Sequence, residues 1–269
     1  MPRAKKTKPK DIKRIQLPDG RWYEYEGKKN PSVTTLINII AKPSLVFWSA
    51  NQERILALEA AVDFYRELSG ASEAAGKEYL KQLETRMGYK RAHQRLLEEA
   101  GDIGTQTHNR IEWELREELG LNSEFDARPE LTSTGAEKAY NEWKKWRKDV
   151  NLKVIAVEQM IISEKYGYGG TLDLLAEIEG VLTVPDWKTG KRIYAESFLQ
   201  NAAYRQAVRE MGIGDPKKGI IVRLPKLEDD PGFEVADAGD EEYNFKIFLN
   251  TRELWEWQRE TRKILKEKE

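Results

Sequence analysis

The chain has 269 residues, with 45 Lys and Arg against 46 Asp and Glu, a formal net charge of -1 and no cysteine. That length supports one large domain or two small ones, and a 39% hydrophobic content with eight Trp and eleven Tyr excludes global disorder. The lack of cysteine excludes a disulfide scaffold, a thiolate zinc site, a Cys-ligated iron–sulfur cluster and a Cys nucleophile.

No apolar run reaches the length of a membrane span and no signal peptide is visible, so a cytoplasmic protein without a membrane partner is expected. Residues 1–14, MPRAKKTKPKDIKR, are basic and lack a hydrophobic period. They predict a flexible tail that serves solubility or acts as a nucleic-acid-binding arm. A transit peptide is a third reading, disfavoured by the absence of Ser and of amphipathic spacing. LPDGRWYEYEGKK predicts a hairpin turning at Asp19-Gly20, and Ser32 is placed to cap a helix through VTTLINII. A helical region over roughly 44–119 follows, with breaks near Gly70 and Gly101 and apolar positions at Leu56, Leu58, Phe64 and Leu68. A second helix over about 134–149 ends in the basic stretch KKWRK.

The hydrophobic period then changes from 3.6 to 2. KVIAVEQMIIS reads as a strand, and GGTLDLLAEIEGVLTVPDWKTG as two strands joined at Glu179-Gly180. ESFLQNAAYRQAVREMG reads as a helix stopped by Gly212, KGIIVRL as a strand, and EEYNFKIFL as a candidate further strand. TRELWEWQRETRKILKEKE is a charged amphipathic helix, expected to pack on the domain through Leu254, Trp255 and Leu265, with an oligomer contact as the alternative. The order of elements predicts a mixed α/β (α+β) fold. Residues 15–150 would form a mainly helical N-terminal region, and 151–269 a core with a C-terminal helix, as one integrated domain.

A hairpin centred on Glu179-Gly180 pairs Ile178 with Val181, and further pairs keep the same residue sum, so Asp173 falls opposite Asp186. Opposed carboxylates about 5 Å apart among Leu and Val are destabilising without compensation, and a divalent cation supplies it through hard oxygen ligands, as Mg2+ or Mn2+. Alternation puts Lys188 on the face of Asp186, and Glu158 joins them if its strand pairs with 169–178. Such a set suits phosphodiester hydrolysis, with metal-bound carboxylates and a lysine that positions water or neutralises developing charge. The bare pattern acid-x-Lys occurs five times in the chain, and only Asp186-Trp187-Lys188 ends an apolar strand paired with a second strand carrying an opposed Asp. The competing reading is a surface salt bridge between Asp186 and Lys188.

Glu158, then GGTLD with Asp173, then DWKTGK with Asp186 and Lys188, then QNAAY with Gln200 and Tyr204, resemble the PD-(D/E)XK nuclease superfamily, most closely its RecB-type and phage-type exonucleases. The resemblance is strong over about 150–225. Upstream, GTQTHNRIE is similar to the RecB-type Gly-x-x-x-His motif, and NPSVTTL followed by KPSLVFWSA is similar to the N-terminal part of phage and mitochondrial exonucleases. The resemblance implies a restriction-endonuclease-like mixed sheet flanked by helices, with a helical elaboration forming an arch or clamp. It implies His108, Glu158, Asp173, Asp186 and the Trp187 carbonyl as ligands for one or two Mg2+ or Mn2+ ions, Lys188 as the catalytic lysine, and Gln200 and Tyr204 as DNA contacts or braces. Leu172 stands where the superfamily's name has Pro, and no iron–sulfur cluster is expected.

Other readings stay open beside these. His108 has Glu112 four residues on and would serve as a core histidine bonded to it. His93 lies in a charged helix and is expected to be solvated. Gln200 and Tyr204 also suit ordinary helix packing. Lys191, Arg192 and Arg205 would bind phosphate or be solvated. Trp143 and Trp146 are core residues or base-stacking residues of a single-stranded channel. The expectation is a metal-dependent deoxyribonuclease, an exonuclease of DNA replication, recombination or repair in a bacterium or phage. DNA is the partner, a recombination or replication protein a further one. The alternatives are a non-catalytic nucleic-acid-binding protein on the same fold, a flap or structure-specific endonuclease, and a structural or assembly protein. Net charge does not exclude DNA, because Glu158, Asp173 and Asp186 carry part of the acid and the base is concentrated at the N-terminus, at 144–148 and at 188–192.

Overall fold

The structure, a computed structural model, describes residues 11–40, 42–67 and 91–267, with 77, 78, 81–83 and 85 between them. Positions 1–10, Leu68 and Gly70 lie outside the described residues, as does the side chain of Phe64. The chain divides into two compact units, one made of the residues up to Ile40 and from Ile103 onward, the other of Ala41–Asp102.

In the first unit, β1 (Lys13–Leu17), β2 (Gly20–Tyr25) and β3 (Lys28–Pro31) form an antiparallel sheet. Leu17 pairs with Gly20, so the first turn is Pro18-Asp19, one residue earlier than the sequence predicts. The second turn, Glu26-Gly27, has φ of 47° and 74°, the left-handed pair that matches strand twist in a tight hairpin. Ser32 accepts a hydrogen bond from the Thr35 N–H and starts α1 (Val33–Ile37), as its residue type predicts.

Helix α2 (Pro43–Glu67) belongs to the second unit, where Leu58 is exposed and His93 meets Glu53 at 3.1 Å instead of standing alone in solvent. Helix α3 (Ala92–Glu118) runs unbroken through Gly101 and Gly104. The expected break at Gly101 does not occur: an interior glycine costs about 1 kcal/mol, which the packing of Ile111 and Leu115 offsets. At Gly104 a Cβ would lie 3.1 Å from Thr189 Oγ1, so the helix approaches that loop closely.

Helix α4 (Thr134–Asp149) is capped by Ser133. Its Trp143 and Trp146 are buried, and Trp146 meets Trp187 edge-on at 5.0 Å between ring centroids. The base-stacking reading of these two residues is therefore corrected: they are core. The cations of KKWRK are partly committed as well, Lys145 to Glu142 and Arg147 to Glu118.

A five-stranded sheet follows, β4 (Leu152–Ser163), β5 (Tyr168–Ile178), β6 (Val181–Lys188), β7 (Lys218–Arg223) and β8 (Glu234–Asp237), in that spatial order. Only β6–β7 is parallel, and α5 (Glu196–Glu210) makes the crossover between them. The segment EEYNFKIFL is not a strand. It opens α6 (Glu241–Lys266), whose first turn is capped by the Asp240 carboxylate. Phe245 and Phe248 turn toward Tyr168, a helical spacing that overrides the local alternation. Trp255 packs on the same body, whereas Leu254 and Leu265 remain exposed.

The sheet is covered on both faces. Helices α1, α5 and α6 bury Val33, Leu36, Leu199, Ala203 and Phe248 against Ile161, Leu172 and Val184. Helices α3 and α4 bury Ile111, Leu115, Trp143 and Trp146 against Leu174, Ala176 and Val222. This is the mixed, helix-flanked architecture that the sequence predicts. No helix among the described residues is long and apolar enough to cross a membrane.

Candidate metal centre

The hairpin turn at Glu179-Gly180 forms as expected, with φ of 49° and 77°, and sets Ile178 opposite Val181, Glu177 opposite Leu182 and Ala176 opposite Thr183. Beyond these three pairs the ladder stops, so Asp173 and Asp186 are not backbone-paired neighbours. In place of the ladder, Trp187 N–H donates to Asp173 Oδ2 at 2.8 Å. The Lys188 carbonyl accepts from Leu224 on the β7 side. By alternation, the Trp187 N–H and carbonyl both face the β5 side, toward Asp173.

Glu158 reaches the same place by a different route. Strand β4 shifts register between Val154 and Ala156, after which Val157 pairs with Leu174 and Gln159 with Leu172. Glu158 stands between these pairs with φ of 45°, a left-handed conformation rare for a residue with a Cβ and costing on the order of 1–3 kcal/mol. Helix α3 supplies His108, whose Nδ1 lies 3.6 Å from Asp173 Oδ1. Glu112 turns to Arg116 at 3.5 Å, so it is not the partner of His108. One ligand atom each from His108, Glu158 and Asp173 lie within 4.8 Å of one another.

A second group adjoins the first. Asp186, 1% exposed, accepts from Gln200 Nε2 at 3.0 Å through Oδ1, and its Oδ2 lies 2.6 Å from Lys188 Nζ. Lys188 also donates to Gln200 Oε1 at 3.2 Å, and Gln200 Nε2 donates to the Tyr204 hydroxyl at 3.1 Å. One amide side chain thus ties acid, lysine and phenol together. Residues 200 and 204 lie one turn apart on α5, which turns both side chains inward. Gly170 is what lets Tyr204 in: a Cβ there would fall 2.5 Å from its ring.

Charge in this buried space is shifted accordingly. Burial, then the charges of Asp173 and Glu112, push Glu158 up to about 8. Burial pushes Asp186 up to about 6, with Lys188 opposing it and Asp173 adding to it. For Asp173, burial raises the pKa, but His108, Lys188 and the Trp187 N–H outweigh it and the net shift is downward. Burial opposes the charged forms of His108 and Lys188, yet Asp173 raises His108 and the two aspartates raise Lys188. Burial holds the Tyr204 hydroxyl well above its usual range.

His108, Glu158 and Asp173 together form a mixed oxygen and nitrogen donor set that fits a divalent metal ion. Glu158 is raised by burial first and by the charge of Asp173 second, and a bound cation would oppose both.

The remaining candidates are placed differently. Lys191 and Arg192 are exposed, with the Arg192 guanidinium over the Tyr194 ring at 5.3 Å. Arg205 is buried, paired with Glu241 at 2.7 Å and donating to the Lys217 carbonyl at 2.8 Å. Its expected phosphate contact is corrected: the guanidinium braces α5 against α6. Sequence reasoning missed Tyr23, whose hydroxyl meets Thr171 Oγ1 at 2.8 Å two residues before Asp173 and whose ring occupies the space beside Gly169. The Gly169-Gly170 pair was the one visible signal of that approach.

A sheet carrying this acid, acid and lysine set where a strand pair opens, with a histidine supplied by the adjoining helix, is the arrangement of a class of metal-dependent nuclease folds. The chain belongs to the PD-(D/E)XK nuclease superfamily, whose family model matches residues 60–267. Such nucleases act on nucleic acid and usually employ divalent metal ions. No curated protein matches the chain. A solved structure described as the crystal structure of SSO0001 shares 13% identity over 56% of this chain and 74% of that one, with a TM-score of 0.28, too low a similarity to bear on function.

Proposed function

We propose that the protein is a Mg2+- or Mn2+-dependent deoxyribonuclease of the RecB and phage exonuclease type, acting on DNA ends in replication, recombination or repair. The observation that carries this reading is the meeting of His108, Glu158 and Asp173 beside the Asp186–Lys188–Gln200 group.

In this reading Asp173, Glu158 and His108 would hold the cation, joined by Asp186 and the Trp187 carbonyl. When bound, the ion supplies charge stabilisation at the phosphorus and a more acidic water. Asp173 keeps its negative charge because His108 and Lys188 face it. Lys188 stays protonated between the two aspartates, and its ammonium is held by Asp186 and Gln200 so that one hydrogen remains to orient the attacking water or the phosphoryl oxygen. Gln200 and Tyr204 fix the direction of that ammonium, as positioning residues. Lys191 and Arg192, exposed after β6, attract the phosphate backbone. A replication or recombination protein is the expected partner.

The test is digestion of end-labelled single- and double-stranded DNA with Mg2+ or Mn2+, with product lengths followed over time. Mononucleotides or short oligomers released from one end support the exonuclease. Internal cuts at junctions redirect the reading to a structure-specific endonuclease, and intact DNA under every metal refutes it.

A further inference from the structure

Helix α3 and the loop at 121–130 enclose an open cleft of about 450 Å³ that none of the residues above explains. Asn109, Glu112, Trp113 and Arg116 line it from the helix, and Asn122 and Phe125 from the loop. Phe125 is 87% exposed, a large ring presented to water. The loop that carries it is pinned. Asp126 accepts from the Ser123 N–H at 2.7 Å and its hydroxyl at 3.0 Å, Asn122 Nδ2 donates to the Trp113 carbonyl at 2.9 Å, and Trp113 Nε1 donates to the Asp126 carbonyl at 3.3 Å. The Trp113 ring is backed by the Arg128 guanidinium at 5.6 Å.

The cleft adjoins the candidate metal centre. Asn109 follows His108 directly, and at 1.5 Å per residue Trp113 and Arg116 lie about 8 Å and about 12 Å along α3 from it. Glu112, which lines the cleft, also acts on the Glu158 carboxyl. A strand whose phosphate sits at His108 and Asp173 therefore has its neighbouring nucleotides at this cleft. The cation of the lining, Arg116, is paired with Glu112 at 3.5 Å and Asp126 adds a negative charge, so the cleft disfavours a phosphate, while its aromatic rings suit the face of a base.

We propose that the cleft is a nucleobase subsite: an unpaired base of the substrate strand stacks on Phe125 beside Trp113, with the Arg116 guanidinium and the Asn109 amide at its edge. This rests on the nuclease reading and adds to it that the strand is single where it flanks the scissile phosphate. Stacking of this kind tolerates any base.

The test uses the full chain with Ca2+ in place of Mg2+, and a short single-stranded oligonucleotide carrying 2-aminopurine at successive positions. Wild type quenches the reporter at one position. Phe125→Ala, at an exposed position and with its thermal unfolding checked, loses that quench and weakens binding by about tenfold. Phe125→Trp restores both. Unchanged quench and affinity in Phe125→Ala overturn the proposal, as does wild-type binding confined to duplex or no binding at all. A parallel Mn2+ digestion with wild type and Asp173→Ala separates the two claims. Asp173-dependent cleavage with an indifferent Phe125 sinks the cleft alone, whereas no wild-type cleavage sinks the nuclease reading.

Discussion

The backbone N–H of Trp187 donates to the Asp173 carboxylate over 2.8 Å, at the level where β5 and β6 have stopped pairing. A side chain thus takes the place of a ladder bond, and a buried N–H that would otherwise be orphaned holds the carboxylate in one orientation. The opening between the strands and the aim of Asp173 are a single feature.

Asp173→Asn keeps the shape but removes the charge. Mn2+ affinity at neutral pH is expected to fall at least about tenfold, with cleavage reduced by about two orders of magnitude or more. Titration calorimetry on the folded variant checks the first and a DNA digestion the second.

Gln200→Ala removes the amide that joins Asp186, Lys188 and Tyr204. The loss of such an outer partner costs roughly 10–100-fold in activity. The effect is expected in kcat with KM little changed, because the lysine is misdirected rather than the strand lost. Gln200→Glu keeps the side-chain volume and an acceptor for Lys188 but loses both donations, so wild-type activity in that variant would point to packing instead.

Glu158 makes the metal-free protein sensitive to alkali. Its folded pKa, about 8, lies above the ordinary carboxyl value of 4.5, so the native state holds the proton more tightly. The stability this contributes is fully present below pH 4.5 and is lost as pH rises through 8. The melting temperature without metal is expected to fall as pH rises from about 4.5 to about 8 and to level off above it. Glu158→Gln flattens that fall, and Mn2+ binding at pH 7 releases protons that calorimetry in buffers of different ionisation enthalpy would count.

Gly170→Ala forces a Cβ to within 2.5 Å of the Tyr204 ring, so the ring must move and the Gln200 bond with it. Overpacking of this kind costs about 1–3 kcal/mol. A lowered melting temperature together with lowered kcat is the expected pair, and Tyr204→Phe, which keeps the ring but loses the hydroxyl, separates them.

Arg205→Ala is expected to destabilise by about 2 kcal/mol, since it leaves the Lys217 carbonyl without that donor while Glu241 keeps Arg209. The salt dependence of DNA binding should stay as in wild type. A reduced slope would return Arg205 to the phosphate contacts.

Much of this site could be read from residues alone because its hairpin is specified locally. Glu179-Gly180 dictates the turn, the turn dictates the register near it, and alternation places Asp173, Asp186 and Lys188. What failed lay where local pattern and tertiary packing disagree. Strict pairing arithmetic carried past Ala176 misses the opening of the strands. Strand β3, KKNP, is charged and ends in proline, so nothing but its pairing with β2 makes it a strand. Tyr243, Phe245 and Ile247 alternate like a strand, but the cap at Asp240 and the contacts of Phe245 and Phe248 make them helix. Arg205 looked like a surface cation because its partner Glu241 lies thirty-six residues away. Tyr23 carries no motif and reaches Thr171 only through the fold.

The most direct test of the central claim is the cleavage rate of purified, folded Lys188→Ala beside wild type on end-labelled DNA with saturating Mn2+. The site described predicts cleavage by wild type that stops on chelation, and a variant that binds Mn2+ and DNA yet leaves the label intact. A variant that cuts at the wild-type rate would contradict it.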